Sequence, residues 1–161
     1  MNLVITMSRR FGTGASMIAH ELSKFLNIPV YDKAYIEHEI DVHHFDTEAQ
    51  AIKELAKKPC IILGRSASNI LKDKINVFNI YICASTEDRI QRISQKDSLS
   101  YEKAKEMVEK TDAERAKYYY EHTGKAWGDV ADYHMILDTS ALGAENCADI
   151  IMKYFKRMEY I

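Results

Sequence analysis

Residues 8–16 combine glycine and small hydroxyl residues at a spacing that suits phosphate binding. The segment contains Gly12, Thr13 and Gly14, and Ser16 follows two positions after the second glycine. The two glycines let the backbone turn tightly with its amides pointing inward, and such a nest at the start of a helix binds anions. These residues are therefore predicted to contact a phosphate group. From the loop alone, a plain strand-to-helix turn in an unrelated α/β fold remains open.

The same loop departs from the full P-loop pattern at one position. That pattern requires a lysine after the last glycine, and Ala15 occupies this place. Losing one donor to a developing charge costs about 3 to 4 kcal/mol elsewhere, or roughly a thousandfold in rate. Either Arg9, Arg10 or an arginine of a lid compensates, or the protein binds nucleotide without turning it over.

Four charged residues recur at helical spacing later in the chain. Arg89 and Arg92 are three residues apart, as are Asp112 and Arg115. Residues at this spacing share a helix face, so the arginines can close together over a phosphate group. The alternative is a set of solvated salt bridges, which is what most charges on helices are.

The elements that must position these residues follow from the hydrophobic pattern. Apolar runs of strand length alternate with segments of helical period, which is typical of a parallel sheet covered by helices on both faces. Apolar stripes predict a first helix from Ala15 to Leu26 and a last helix from Cys147 to Met158. Residues 101–120 are rich in Lys, Glu and Arg, which indicates helices that project into solvent and form a candidate moving lid. Strands are predicted at residues 3–7, 29–31, 60–63, 77–83 and 134–137.

Composition limits the function classes. A chain of 161 residues, 47% hydrophobic and 29% charged, predicts one globular domain over residues 1–161. A net charge of -2 offers no field to recruit nucleic acid or an anionic membrane, so any phosphate must be held by local groups. The first apolar run is too short for a signal peptide or a membrane span. Cys60, Cys83 and Cys147 each lie among apolar residues, which predicts reduced thiols in a cytoplasmic protein.

Several stretches, taken in order along the chain, resemble the cytidylate kinase-like family, a branch of the nucleoside monophosphate kinases. They occupy residues 5–14, 28–33, 61–65, 84–92, 110–119, 123–129 and 138–140. The resemblance implies a three-layer α/β P-loop fold with a five-stranded parallel sheet and a helical lid near residues 97–129. It also implies transfer of the ATP γ-phosphoryl group, with Mg2+, to a nucleoside monophosphate similar to CMP or dCMP.

The resemblance also implies roles for the loop and for one arginine. Gly12, Thr13 and Gly14 would offer backbone amides to the β-phosphate, and the Ser16 hydroxyl would lie near the phosphates and magnesium. Arg65 resembles the arginine of a Gly-Arg-Asp motif that binds the acceptor phosphate, a task that suits its planar fork.

By the same resemblance, Arg89, Arg92, Asp112 and Arg115 form the catalytic group around the transferring phosphate. Asp32 resembles an acidic residue that orders magnesium-bound water or the acceptor. Its alternative role is the N-cap of a helix that begins at the next residue.

Three further departures from the family pattern bear on the acceptor. Ser66 stands where an acid follows the Gly-Arg pair, and His38 stands where an acceptor-binding arginine is usual. The segment near residues 40–46 is shorter than in the family, either through a true deletion or through omission of a mobile segment. The leading hypothesis is a nucleotide kinase. A catalytically weak or inactive nucleotide-binding regulatory module is the second, and a partner-binding domain with an empty loop is the third.

Overall fold

The central strand of the sheet is buried on both sides, and its side chains divide the hydrophobic core in two. In the computed structural model, which describes residues 2–161, Ile5 and Met7 of this strand face one cluster and Val4 faces the other. A strand with both faces covered reads as a nearly continuous apolar run, as residues 3–7 do apart from the buried Thr6. The fold therefore has three layers, with helices on each side of one sheet.

The five strands found within residues 2–161 are all parallel and confirm the predicted sheet. They are β1 (Val4–Arg9), β2 (Val30–Tyr31), β3 (Cys60–Leu63), β4 (Val77–Cys83) and β5 (Met135–Asp138), in the spatial order β2-β3-β1-β4-β5. The predicted first strand ends too early, because Ser8 and Arg9 still pair with Tyr81 and Ile82 of β4. This extension carries Arg9 to the carboxyl edge of the sheet.

The helices of the described residues include the first and last ones predicted from apolar stripes, although the last begins at Ala144 rather than at Cys147. They are α1 (Ala15–Leu26), α2 (Lys33–His43), α3 (Glu48–Leu55), α4 (Ala67–Ile70), α5 (Thr86–Asp97), α6 (Tyr101–Thr123), α7 (Thr139–Leu142) and α8 (Ala144–Arg157), with a 3-10 turn at Val130–Asp132. Helices α1 and α8 pack on one face of the sheet, where Phe155 is fully buried. Residues of α2, α3 and α4 form the cluster on the other face.

The predicted lid region contains one long helix. Ser100 caps the start of α6 by accepting a hydrogen bond from the Lys103 amide, and Gly124 ends the helix in a left-handed conformation. Ala104 and Val108 are buried against α5, so α6 is fixed to the body along one side while most of its charged residues face solvent. That this region moves as a lid stays a prediction.

The chain passes from α2 to α3 through residues 44–47, where Thr47 caps α3 by accepting the Gln50 N–H. The proposed shortening near residues 40–46 stays a prediction. Among the helices of residues 2–161, none is long and apolar enough to cross a membrane.

We predict that Phe155→Ala lowers the free energy of unfolding by about 3 to 5 kcal/mol, because it removes a large side chain from a closed core. Phe155 has no exposed surface and meets Phe78 edge-on at a centroid distance of 5.1 Å. Phe25→Ala is the matched control, since Phe25 is 63% exposed and its loss should cost at most about 0.5 kcal/mol. Urea unfolding of both variants checks this; equal costs would contradict the assigned core.

Candidate functional site

The loop between β1 and α1 forms a backbone nest at the carboxyl edge of the sheet. Gly12 and Gly14 have φ angles of 83° and 85°, a left-handed region that glycine adopts without strain. Gly14 is the N-cap of α1 and has no side chain to pair with the first amides of the helix. These amides and the positive end of the helix dipole suit an anion. The structure thus places Gly12, Thr13 and Gly14 where the sequence predicts a phosphate site.

Hydrogen bonds fix the loop from inside. The buried Thr13 hydroxyl donates to the Arg10 carbonyl at 3.1 Å, and the Thr139 hydroxyl donates to the Thr13 carbonyl at 2.9 Å. Thr139 begins α7, so the loop is tied to the segment that follows β5. The sequence analysis included Thr139 in the stretch 138–140 that resembles the family, but it assigned the residue no role, because nothing local distinguishes it from an ordinary helix start.

Neighbouring atoms leave no room for side chains at the two glycines. A Cβ on Gly12 would lie 2.9 Å from the Arg89 carbonyl oxygen. A Cβ on Gly14 would lie 3.1 Å from the Ala144 Cβ and 3.3 Å from Nη1 of Arg92. The Arg92 guanidinium therefore lies directly beside the nest, as its predicted contact with phosphate requires.

Arg89 and Asp112 meet each other in a buried ion pair. Nη1 of Arg89 donates to Asp112 at 2.5 Å and to the Phe11 carbonyl at 3.3 Å, and the Asp112 carboxylate also accepts the Phe11 N–H at 2.9 Å. Arg89 is only 7% exposed, so the solvated salt bridge considered for it does not describe this pair. The pair joins the loop, α5 and α6. Its catalytic role stays a prediction.

Two cavities of about 360 Å³ each flank the loop. The first, which we call the arginine cleft, lies at the carboxyl ends of β1 and β3 beside α6; its walls include Arg9, Lys33, Arg65, Glu114, Arg115 and Trp127. The second, which we call the loop groove, lies between α5 and the start of α8; its walls include Gly12, Asp88, Arg92, Thr139, Ser140 and Glu145. The arrangement can hold one anionic group on each side of the nest.

Arg65 enters the cleft from an unusual stretch of backbone. Gly64, Arg65 and Ser66 all have positive φ, and for the two larger residues this conformation costs roughly 1 kcal/mol or more each. The strained turn brings the Arg65 side chain against α3 and α6. There it donates to the Glu48 carboxylate at 2.8 and 3.3 Å and stacks on the Tyr118 ring at 4.1 Å.

Glu48 and Tyr118 complete this cluster. The Tyr118 hydroxyl donates to Glu48 at 2.5 Å, and the Tyr118 ring stacks on His122 at 3.9 Å. Burial alone would raise the pKa of the Glu48 carboxyl, but hydrogen bonds from Arg65 and Tyr118 hold that pKa below its usual value. The sequence analysis missed Glu48, since an acid in the first turn of a helix is commonplace.

Arg115 lies in the cleft as predicted, and it contacts the backbone of β1. Its Nη1 donates to the Arg9 carbonyl at 2.9 Å, and its guanidinium lies 5.5 Å from the centre of the Phe11 ring. Burial lowers the pKa of Arg115, and Asp112 partly offsets that effect. Arg115 and Asp112 are thus both turned toward the loop, as their spacing predicts.

Asp32 and Ser16 occupy the positions expected from the sequence. Asp32 caps α2, since its carboxylate accepts the Tyr35 N–H at 2.9 Å; contact with an acceptor stays a prediction. Ser16 is exposed in the first turn of α1, beside the nest, and offers the kind of oxygen ligand that magnesium prefers. Over residues 2–161, no group of three or more His, Cys, Asp and Glu side chains is placed to hold a metal ion.

Comparisons with known proteins point to one family. The model of the cytidylate kinase-like family matches residues 35–141, about two thirds of the chain. The cytidylate kinase of Methanosphaera stadtmanae is 27% identical over 168 residues, covering 94% of this chain and 96% of that protein.

Solved structures agree on the fold. An uncharacterized protein from Eubacterium ventriosum superposes with a TM-score of 0.86 at 23% identity, covering 98% of this chain and 99% of that one. The shikimate kinase of Bacteroides thetaiotaomicron superposes with a TM-score of 0.61 at 13% identity, covering 96% and 98% of the two chains. The second likeness confirms the P-loop kinase fold predicted from the sequence.

We predict that Asp112→Ala lowers the free energy of unfolding by about 3 to 5 kcal/mol, because Arg89 is left as an unpaired buried charge. The double variant Asp112→Ala/Arg89→Met should recover part of this loss, since no unpaired charge remains. Glu109→Ala, an exposed change on the same helix, should cost at most about 0.5 kcal/mol. Denaturant unfolding of these three variants and of Arg89→Met completes the double-mutant cycle, and strictly additive single effects would show that the two side chains do not interact.

We predict that Glu48 contributes to the stability of the folded state and that this contribution is lost in acid. Because its pKa is lowered in the folded state, the stabilisation is complete above the ordinary Glu pKa of about 4.3 and is lost as pH falls through the folded pKa. The difference in unfolding temperature between the parent and Glu48→Gln should therefore shrink between about pH 7 and about pH 3. Glu54→Gln, at an exposed pair with Lys57, should show little difference at any pH. A difference for Glu48→Gln that grows on acidification would refute the assignment.

Proposed function

Since the chain belongs to the cytidylate kinase-like family, we propose that it is a nucleotide kinase that transfers the ATP γ-phosphoryl group to a nucleoside monophosphate of the CMP or dCMP kind. The observation that carries the proposal is the backbone nest at Gly12–Gly14 with a cavity on each side, one of them lined by Arg92 and the other by Arg9, Arg65 and Arg115. Phosphoryl transfer needs two phosphate groups aligned and their charge neutralised, and little covalent chemistry from the protein.

The loop groove is proposed to hold the donor nucleotide. The amides of Gly12, Thr13 and Gly14 bind the β-phosphate of ATP, and Arg92 beside Gly14 neutralises charge on the phosphate chain. Ser16 is the residue that would hold magnesium. When bound, the metal ion spreads the charge of the phosphate oxygens.

The arginine cleft is proposed to hold the acceptor monophosphate. Arg65 and Arg115 enter it from β3 and α6, and both guanidinium groups present planar forks that match phosphate oxygens. Glu48 already occupies the Arg65 fork. An acceptor phosphate therefore either replaces this carboxylate or uses the remaining guanidinium edge.

Arg89 and Asp112 are proposed to support catalysis indirectly, by holding the phosphate-binding loop in place. Their bonds to the carbonyl and amide of Phe11 hold the loop, and Asp112 ties α6 to it. Closing α6 over the acceptor would then be coupled to the shape of the nest. This is a positioning role, because the Arg89 guanidinium is buried among protein groups.

A nucleotide-binding module with weak or no catalysis is the second candidate. Two observations favour it, namely the absence of a lysine at Ala15 and the engagement of Arg65 by Glu48. Ala15 is 3% exposed and belongs to the hydrophobic cluster between α1 and the sheet. Tight nucleotide binding without turnover is the behaviour that selects this candidate.

We predict phosphoryl transfer from γ-labelled ATP with magnesium to CMP or dCMP in a panel that also contains UMP, AMP and small hydroxyl acceptors. Product separation identifies the labelled acceptor.

In Arg65→Lys, we predict that the KM for the acceptor rises about tenfold while the KM for ATP stays within about twofold, because the ammonium cannot bind two phosphate oxygens as a fork does.

Arg157→Lys, an exposed change in the last turn of α8, is the control and should leave both KM values unchanged. Label in none of the acceptors, with folded protein that binds ATP, would reject the kinase and select the binding module. Label in a small hydroxyl acceptor alone would reject the nucleoside monophosphate as substrate.

A further inference from the structure

Arg9 is a largely buried arginine without a carboxylate partner. The ion pairs formed among residues 2–161 include Arg65 with Glu48 and Arg89 with Asp112, and Arg9 takes part in none. Burial, followed by the nearby charges of Arg115 and Arg65, lowers the pKa of Arg9 to about 9. Asp32 acts in the opposite direction and is the smallest of these influences. A buried charge with two like charges nearby is costly unless something pairs with it.

The backbone is arranged to hold the Arg9 side chain in the arginine cleft. Arg9 is the last residue of β1, and its Nη1 lies 2.5 Å from the place where a Cβ on Gly64 would be. A larger residue at position 64 would displace this guanidinium from the end of β3. Arg115 donates to the Arg9 carbonyl, so it is held next to the same residue. The side chain is therefore placed by two strands and a helix.

The charge balance of the cleft calls for an anion. Its walls carry Arg9, Arg65, Arg115 and Lys33, and Lys33 pairs with Glu37 at 3.9 Å. The carboxylate among the wall residues is Glu114, whose side chain is 65% exposed and paired with Lys110. Glu48 neutralises Arg65 alone. The remaining positive charge suits a group with two negative charges, such as a phosphate monoester.

We propose that Arg9 binds the phosphate of the acceptor and supplies, from the acceptor side of the loop, positive charge that Ala15 does not provide. The inference rests on the proposed kinase function. In the reaction, the bond between the γ-phosphorus and the bridging oxygen of ATP breaks, and a bond to an acceptor phosphate oxygen forms. ADP leaves, and the product is a nucleoside diphosphate. Arg9 forms no covalent bond and keeps its proton.

The test compares Arg9→Met with Arg157→Met, which removes the same charge from the exposed end of α8. Affinity for CMP, and separately for inorganic phosphate, is measured by calorimetry without ATP, and the unfolding temperature is measured without ligand. We expect Arg9→Met to weaken binding of both probes by about tenfold or more, and to leave the unfolding temperature equal to or above that of the parent, because an unpaired buried charge is gone. Arg157→Met should leave both affinities unchanged.

Arg9→Lys gives a second measure that keeps a charge in the cleft. It should bind both probes more weakly than the parent and more tightly than Arg9→Met, since a single ammonium replaces a planar fork. Unchanged affinity in Arg9→Met overturns the proposal. An unfolding temperature clearly below that of Arg157→Met also overturns it, because it shows that Arg9 is structural.

The experiments separate kinase activity from phosphate binding by Arg9. A parent protein that transfers no phosphoryl group but binds phosphate through Arg9 rejects the kinase and retains the anion site. A parent that transfers phosphoryl groups and loses no acceptor affinity in Arg9→Met retains the kinase and rejects the role of Arg9. A parent that binds neither probe rejects the site itself.

Discussion

The buried pair of Arg89 and Asp112 joins the loop after β1 to the two helices α5 and α6. One guanidinium and one carboxylate together satisfy the carbonyl and the amide of Phe11, and they do so from two different helices. Taking both charges out of water is expensive, and such pairs are tolerated when their remaining hydrogen bonds are made. Here the partner groups are loop backbone atoms. The shape of the loop and the attachment of α6 therefore share this interaction, in addition to the hydrogen bonds of Thr13 and the packing of Val108.

The nest is also constrained by close packing. Gly12 lies against the Arg89 carbonyl and Gly14 lies against Ala144, so neither position accepts a side chain. Ala15 then begins α1 with its methyl group in the hydrophobic core. Arg10 of the loop lies over the Trp127 ring, and further arginines stand on both sides of the loop. The backbone of the loop therefore sets where its amides point, while neighbouring arginines such as Arg92 and Arg115 provide positive charge.

The sequence predicts the parts of the fold that depend on local periodicity. The strands and the helices α1 and α8 follow from the spacing of apolar residues, and the loop follows from Gly12 and Gly14. What the sequence does not show is which charges are buried together. Phe11 and Asp112 are 101 positions apart, and Arg65 and Glu48 are 17 apart. Helical spacing places a charge on a face of its own helix but does not identify the partner across from it.

The two sides of the loop differ in how their positive charge is stabilised, and this difference bears on how a phosphate would be exchanged. Arg92, beside the proposed donor site, is exposed, so its charge costs little in the free protein. At the proposed acceptor site, Glu48 pairs with Arg65. Arg9 has no such partner, and its pKa is lowered by burial and by the charges of Arg115 and Arg65. An acceptor phosphate would relieve that energetic cost on binding. Part of its binding energy would thus come from repulsion already present in the free protein.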